Sequence, residues 1–288
     1  MKSGTRDWNA SGWKDGDLLK VEPDDFNDVR PGVPYGTLEY LKFPSTTVGK
    51  DRDVVVWLPP EYDGKKCFPV LYLFHGLAKD QTMWASQGNA DLILGNMIAS
   101  GEAVNMILVM PNCRARKNDA RHPVDEWSEE HSIAYLNFAQ ELKLDLMPFI
   151  ESRYAVALGR KNTAIAGYSM GGRVALHTGI LLQDKVGYIG TICPAPGLFD
   201  SQSEDSLSKK GAFHTEDELR LRPEFVNDTY MAIFAGKDDE SVHDTPEQYH
   251  NVLVQNGCPH EAFWLTGGHS FSQVATRALY RFAQKIFK

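Results

Sequence analysis

The sequence is poor in cysteine and in basic charge, and both shortages exclude classes of function. Its four cysteines, Cys67, Cys113, Cys193 and Cys258, stand far apart and form no C-x-x-C pair, which argues against a zinc site and a dense disulfide framework. The 30 basic residues are outnumbered by 38 acidic ones, giving a formal net charge of -8. Binding to nucleic acid or to an anionic membrane needs concentrated Lys and Arg, so we expect neither partner.

Long apolar runs are also missing. No stretch approaches the roughly 18 consecutive apolar residues that a membrane span requires, and the first residues lack the apolar core of a signal peptide. We therefore predict a cytoplasmic protein for the sequence as given, or a secreted one if a leader has been removed. Hydrophobic residues at 42% and charged residues at 24% are ordinary values for a globular protein.

The length of 288 residues, without a break in composition, predicts one large domain. Residues 1–31 are rich in Asp, Gly and Pro and carry no sustained hydrophobic period. They predict an N-terminal extension along the surface, anchored by Trp8 and Trp13, ahead of a single domain at 32–288. The sequence leaves the oligomeric state open.

Beyond residue 32, short apolar runs alternate with amphipathic segments. The runs are rich in β-branched or aromatic residues and mostly lack polar alternation, as in strands covered on both faces of a parallel sheet. Helix candidates lie at residues 91–100, over the apolar positions of 133–150, and at 273–287. This order predicts a three-layer α/β sandwich with a mostly parallel central sheet. The predicted strands are residues 54–58, 70–74, 106–110, 163–166, 188–193, 231–235 and 262–265.

Two segments interrupt the alternation. Residues 112–130 are crowded with charge, and residues 201–228 are polar with a capping-box signal at Thr215 and Glu218. Both follow predicted strands, and loops at the carboxyl ends of parallel strands surround the ligand crevice of an open α/β sheet. They are candidate walls or lids of a site, with solvated surface loops as the alternative.

The strongest chemical signal is a G-x-S-x-G motif centred on Ser169, between an apolar strand and a helix that begins with small residues. The glycines permit a turn so tight that the serine backbone is strained and its hydroxyl is presented above the sheet. A helix beginning at this serine points its N–H groups toward developing negative charge. The motif predicts a nucleophilic serine.

A serine hydroxyl needs a base, and the base needs an orienting carboxylate. We predict Asp239 as the acid, because it follows an apolar strand after a glycine turn, with Asp238 as the close alternative. We predict His269 as the base, because it lies just past a strand and two glycines leave room for its ring. The chain order Ser, Asp, His is that of the α/β-hydrolase fold.

The oxyanion of an acyl transfer needs two donors. One is the N–H after the nucleophile, on Met170, and the other should follow an earlier strand. The strand at 70–74 continues into His75 and Gly76, where the missing side chain lets the backbone approach a substrate, so the N–H of Leu77 is the expected second donor. For His75 itself we favour structural hydrogen bonding in the turn over a catalytic role.

These residues resemble the esterase D and feruloyl esterase family, which includes many bacterial carbohydrate esterases. The resemblance runs from about Gly32 to the C-terminus and implies ester hydrolysis without metal or cofactor, through an acyl-enzyme on Ser169. It is carried by the segments LPPEY at 58–62, PVLYLFHG at 69–76, FIESRY at 149–154, IAGYSMGG at 165–172 and GGHSF at 267–271.

The resemblance leaves the substrate less defined than the chemistry. A feruloyl esterase acting on plant xylan or its oligosaccharides is the first interpretation, and an acetylxylan esterase is the alternative. An S-formylglutathione hydrolase or an acyltransferase is a further one, and a catalytically silent binding protein fits least. Trp127, Trp264 and Pro194 are the predicted substrate-binding residues, although for Trp264 and Trp84 we favour core packing over contact with a substrate.

Overall fold

The computed structural model describes residues 11–201 and 209–288. Within these ranges nine strands form one sheet in the order β1-β9-β8-β7-β6-β4-β5-β3-β2. Strands β4 to β9 and the short β1 are parallel, whereas β2 and β3 form an antiparallel ribbon at one edge. The strands are β1 Lys14–Asp15, β2 Thr37–Ser45, β3 Lys50–Leu58, β4 Val70–Phe74, β5 Ile107–Pro111, β6 Thr163–Tyr168, β7 Tyr188–Ile192, β8 Tyr230–Gly236 and β9 Glu261–Leu265.

Helices connect the parallel strands and cover both faces of the sheet. The α-helices are α1 Met83–Ser86, α2 Ala90–Ala99, α3 Glu129–Leu136, α4 Phe138–Glu141, α5 Met147–Arg153, α6 Met170–Leu181, α7 Thr245–Gln255 and α8 Thr276–Ala283. Single π-helical turns occupy Leu142–Leu146 and Phe271–Ala275. Short 3-10 turns lie at Gly16–Leu18, Arg160–Asn162, Glu216–Glu218 and Pro223–Phe225.

Alternate side chains of the central strands enter two separate cores, one on each face of the sheet. In β4, for example, Val70, Tyr72 and Phe74 belong to one core, whereas Leu71 and Leu73 belong to the other. All five are almost fully buried. Burial on both faces is why these strands show a continuous apolar run in the sequence, and the predicted three-layer sandwich is confirmed.

The N-terminal segment is built into the domain. Trp13 is 4% exposed and lies 5.5 Å from the His250 ring, and β1 adds to the sheet beside β9. The buried Arg281 on α8 donates to the Asp17 carboxylate at 2.7 Å. The predicted anchoring by Trp13 is therefore seen, while Trp8 lies outside the described residues. Among the described residues no helix is long and apolar enough to cross a bilayer.

Two predicted helical features differ from the structure. The helix expected through 133–150 is divided into α3, α4, a π-helical turn and α5. Pro148 in the first turn of α5 has no N–H for the hydrogen-bond ladder, and the π turn before it absorbs the interruption. The capping box at Thr215 does not form, because its side chain makes no cap hydrogen bond and only a 3-10 turn follows.

Candidate active site

Ser169 occupies the tight turn between β6 and α6. Its backbone has φ 57° and ψ -118°, a strained conformation for a residue with a β-carbon. The turn closes only because its neighbours are glycines: a Cβ on Gly167 would lie 2.2 Å from the carbonyl oxygen of Gly171, and one on Gly171 would lie 2.5 Å from the carbonyl oxygen of His75. The predicted strand-turn-helix context of the motif is present.

The structure brings the three predicted triad residues into contact. The Nε2 atom of His269 lies 3.0 Å from Ser169 Oγ, and its Nδ1 atom lies 2.7 Å from Asp239 Oδ2. Each residue closely follows a parallel strand, namely β6, β8 and β9, so the carboxyl ends of the strands gather them at one sheet edge. With Asp239 accepting the Nδ1 proton, Nε2 is free to accept the serine proton.

The environment of Asp239 keeps it ionised. Burial opposes the charge, but hydrogen bonding from His269 and the N–H groups of Ser241 and Val242 leaves the pKa of Asp239 below its ordinary value. The Ser241 and Val242 amides donate to Oδ1 at 2.9 and 3.3 Å. The alternative acid, Asp238, is exposed and its N–H donates to the Gly267 carbonyl. The geometry therefore favours Asp239 over Asp238.

The predicted oxyanion donors flank the nucleophile. Met170 is the first residue of α6, and Leu77 follows Gly76 in the turn after β4; both line the cavity that contains Ser169. A Cβ on Gly76 would lie 3.3 Å from the Tyr168 ring and 3.4 Å from Ser169 Cβ, so the turn runs close beside the nucleophile. The backbone can therefore approach a substrate carbonyl at this point, as the sequence predicts.

His75 lies beneath this turn and fixes it to the 112–130 insertion. Its Nδ1–H donates to the Gly76 carbonyl at 2.7 Å, and its Nε2 accepts the Cys113 N–H at 3.0 Å. Burial and the charge of Arg114 lower the pKa of His75 to about 3, so its ring is neutral. These contacts agree with a structural role for His75 in the turn.

The insertion is tied down at its base. Arg114 is fully buried and donates to the Asp119 carbonyl at 2.9 Å and, through a short contact, to the Lys79 carbonyl. Arg116 makes a paired contact with the Asp125 carboxylate at 2.6 and 2.8 Å. The insertion thus forms a fixed wall on one side of the site.

A cavity of about 840 Å³ opens above the triad. This lies within the range of roughly 300–1,000 Å³ that is common for small-molecule sites. Trp127 of the insertion lines it and is 70% exposed, so its ring is available to a ligand. Aromatic and amide side chains share the lining, among them Tyr168, Phe271, Gln87 and Gln248.

The other two predicted substrate contacts do not line this cavity. Trp264 belongs to β9, packs against the core and carries the Lys237 ammonium 4.6 Å above its ring. Pro194 is buried with its Cα against the Gly172 position, and its neighbours Ala195 and Pro196 line the cavity instead. Trp84 is likewise a core residue, whose indole donates to the Phe74 carbonyl at 2.9 Å.

Two residues of the site, Tyr168 and Phe271, were not predicted from the sequence. Tyr168 stacks on the His269 ring at 4.9 Å, and its hydroxyl donates to the His269 carbonyl at 3.1 Å. Phe271 packs 5.4 Å from Tyr168 and also lines the cavity. Tyr168 stands inside the G-x-S-x-G motif and Phe271 two residues past the base, so proximity to the motif residues was the available signal.

Comparison with known proteins places this geometry in a family. A family model described as "Putative esterase" matches residues 45–257, most of the 288-residue chain. The chain belongs to this esterase family. A ferulic acid esterase from the anaerobic fungus Anaeromyces mucronatus, solved in complex with ferulic acid, is 32% identical with a TM-score of 0.84, covering 93% of this chain and 96% of that one. The predicted family and α/β-hydrolase fold are confirmed.

Two further proteins are similar to this chain, one in sequence and one only in fold. A Xylanibacter ruminicola protein named endo-1,4-beta-xylanase/feruloyl esterase is 30% identical over 186 residues, 62% of this chain. The chain spans only 24% of that protein's length. An S-formylglutathione hydrolase from Staphylococcus aureus is 17% identical with a TM-score of 0.64, covering 90% of this chain and all of that one, and shows a common fold. The prediction of an ester hydrolase is confirmed at the level of the family.

Proposed function

We propose that this chain is a feruloyl esterase that releases hydroxycinnamic acids from xylan or its oligosaccharides. The observation that carries the proposal is an assembled Ser169, His269 and Asp239 triad below an open cavity, in a chain that is 32% identical to a ferulic acid esterase solved with ferulic acid. The cavity lining supports it, because Trp127 and Phe271 offer aromatic faces for a planar acid and Gln87 and Gln248 offer amides for its polar groups.

The geometry supports a two-step acyl transfer. Ser169 attacks the ester carbonyl while His269 takes its proton, and the N–H groups of Leu77 and Met170 stabilise the oxyanion. His269 then gives the proton to the departing sugar hydroxyl, leaving a feruloyl ester on Ser169. Water, deprotonated by the same imidazole, then attacks this ester, and the imidazolium returns the proton to Ser169 Oγ as the acid is released. Asp239 holds the imidazole and stabilises its positive charge throughout.

A panel of four substrates tests the proposal. Release of ferulate from methyl ferulate and from feruloylated xylo-oligosaccharide is measured beside release of acetate from acetylated xylo-oligosaccharide and cleavage of S-formylglutathione. We expect kcat/KM to be highest for the two ferulate esters, and Ser169→Ala to abolish turnover of all four substrates. Preferential turnover of the acetyl ester or the thioester would reject the feruloyl assignment while retaining the triad.

A further inference from the structure

A buried thiol that the proposed reaction does not use follows β7, the strand that lies between the strands of the nucleophile and the acid. The central strands of the sheet run in the order β9, β8, β7, β6. His269, Asp239 and Ser169 follow β9, β8 and β6, and Cys193 directly follows β7. Four adjacent parallel strands thus each deliver one side chain to the same edge, and Cys193 fills the position between the nucleophile's strand and the acid's strand.

The thiol lies beside the triad. The Cys193 sulfur, a carboxylate oxygen of Asp239 and a ring nitrogen of His269 all lie within 4.8 Å of one another. Among the described residues this is the one grouping of three side chains with such closely spaced potential ligand atoms. Since Asp239 and His269 already bond to each other, we interpret the group as part of the triad's support.

The protonation state of the thiol makes it a donor. Cys193 is fully buried, and both burial and the negative charge of Asp239 hold its pKa well above the ordinary thiol value. A neutral S–H beside an ionised carboxylate can only donate. It is therefore a poor nucleophile at neutral pH, since the thiolate is the reactive form.

The backbone at Cys193 also points to a role for its side chain. Its φ of 43° lies in the left-handed region, where glycine has no steric cost and a residue with a β-carbon does. The segment is held by the Cys193 N–H on the Phe234 carbonyl at 2.7 Å, and by the adjacent Ser169 N–H on the Ile192 carbonyl at 2.9 Å. A side chain is thus kept at a strained position that is fixed against both the nucleophile and the acid's strand.

We propose that Cys193 is a positioning residue of the triad, which donates its S–H to the Asp239 carboxylate and fixes the orientation and charge of that group. With the thiol, the donors to Asp239 number four, because His269 and the Ser241 and Val242 amides already bond to it. These match the roughly four lone-pair sites of a carboxylate. The inference rests on the serine-hydrolase chemistry proposed above, and not on the choice of ferulate as substrate.

The test compares Cys193→Ala, which lacks the donor, with Cys193→Ser, which keeps one. A generic p-nitrophenyl ester reports activity whether or not ferulate is the substrate. We expect Cys193→Ala to lower kcat roughly three- to thirtyfold, the loss of one hydrogen bond to a charged group, with little change in KM. Its acidic limb of kcat/KM should move to higher pH, because an unshielded carboxylate stabilises the His269 imidazolium more. Cys193→Ser should restore both properties.

Two further variants provide a control and a second thiol-free protein. Cys258→Ala is the matched control. Cys258 is also buried, but it lies before the amino end of β9, whereas the triad residues follow the carboxyl ends of their strands. This variant should leave the pH profile unchanged. Cys193→Gly is a second thiol-free variant that the left-handed backbone accommodates if Cys193→Ala does not fold. The proton between His269 and Asp239, observed by NMR, gives a readout that needs no turnover and should shift in both thiol-free variants.

The results distinguish a failure of the Cys193 inference from a failure of the proposed function. A folded thiol-free variant with unchanged kcat, pH profile and NMR resonance would overturn the inference, as would a serine variant as impaired as the alanine variant. Inactivity of the wild-type chain toward every ester would contradict the proposed function instead. The NMR comparison would still decide the role of Cys193 in that case.

Discussion

Replacing Asp239 by asparagine should disable the base while leaving the fold intact. In the structure Asp239 Oδ2 accepts from His269 Nδ1 at 2.7 Å, while Oδ1 accepts two backbone amides. The asparagine oxygen can keep the amides, which places its NH₂ group opposite Nδ1. The imidazole then carries its proton on Nε2, which faces Ser169 Oγ at 3.0 Å and can no longer accept the serine proton.

The expected loss of kcat in Asp239→Asn is large, because the substitution removes two contributions of the carboxylate. The wrong tautomer blocks general-base catalysis, and the missing charge no longer stabilises the imidazolium. In the catalytic triad of serine proteases, the equivalent substitution lowers kcat about 10⁴-fold. At ~1.4 kcal/mol per tenfold, a loss of about 10³- to 10⁴-fold here corresponds to ~4–5.5 kcal/mol of transition-state stabilisation.

The assay is kcat on methyl ferulate for Asp239→Asn beside Asp238→Asn, with thermal unfolding of both proteins. Asp238 is the matched control, since it is adjacent, exposed and bonded to the Gly267 carbonyl only through its backbone N–H. It should retain activity within about threefold of the wild type, the small effect expected of an exposed residue outside the triad. Retention of more than a tenth of the wild-type kcat by Asp239→Asn, or an equal loss in Asp238→Asn, would refute the reasoning.

Three other predictions concern the turn, the wall and the core. Gly171→Ala should cost ~2–4 kcal/mol in urea unfolding, because its Cβ would lie 2.5 Å from the carbonyl oxygens of Phe74, the last residue of β4, and His75; unchanged stability would contradict the close packing. Trp127→Ala should raise KM for methyl ferulate by about 5–20-fold with little change in Tm, since its ring is 70% exposed; an unaltered KM would remove it from the site. Burial and the charge of Arg173 lower the pKa of His177 to about 4. The unfolded chain therefore binds the extra proton between pH 6.5 and 4, and stability falls as pH drops through that window. Between about pH 7.5 and pH 5, the free energy of unfolding in urea should fall by about 1–2 kcal/mol less for His177→Phe than for the wild type. An equal fall in both proteins would exclude His177 as the source of the pH dependence.

The sequence was most informative where a residue's type and its place at a strand end agreed. Ser169 and His269 each combine a rare chemical role with a glycine turn after an apolar strand, and the structure brings them within 3.0 Å. The sequence pattern could not decide whether Asp238 or Asp239 is the triad acid, because both residues follow the same turn. Only the direction of the backbone there buries one and exposes the other.

The failures of prediction have a common physical cause, which is tertiary context. Trp264 was predicted as a substrate contact because an indole can stack on an aromatic acyl group or a sugar, but its place in β9 packs it against the core. Strand β2 was missed because its exposed residues, such as Tyr40, hide the apolar run that marks a buried strand. Cys193 could not be predicted, since a lone cysteine after a strand is common and its place beside Asp239 depends on segments that are distant in the sequence.

The contacts of His75 limit how the specificity of this enzyme could be re-engineered. Its two ring nitrogens couple the carbonyl of Gly76, beside the oxyanion donors, to the amide of Cys113, where the insertion begins. A graft that replaces the whole insertion would therefore also alter the catalytic turn. Exchanging only the segment between Arg114 and α3 would leave that coupling intact, so that acyl selectivity and catalytic rate become separately adjustable.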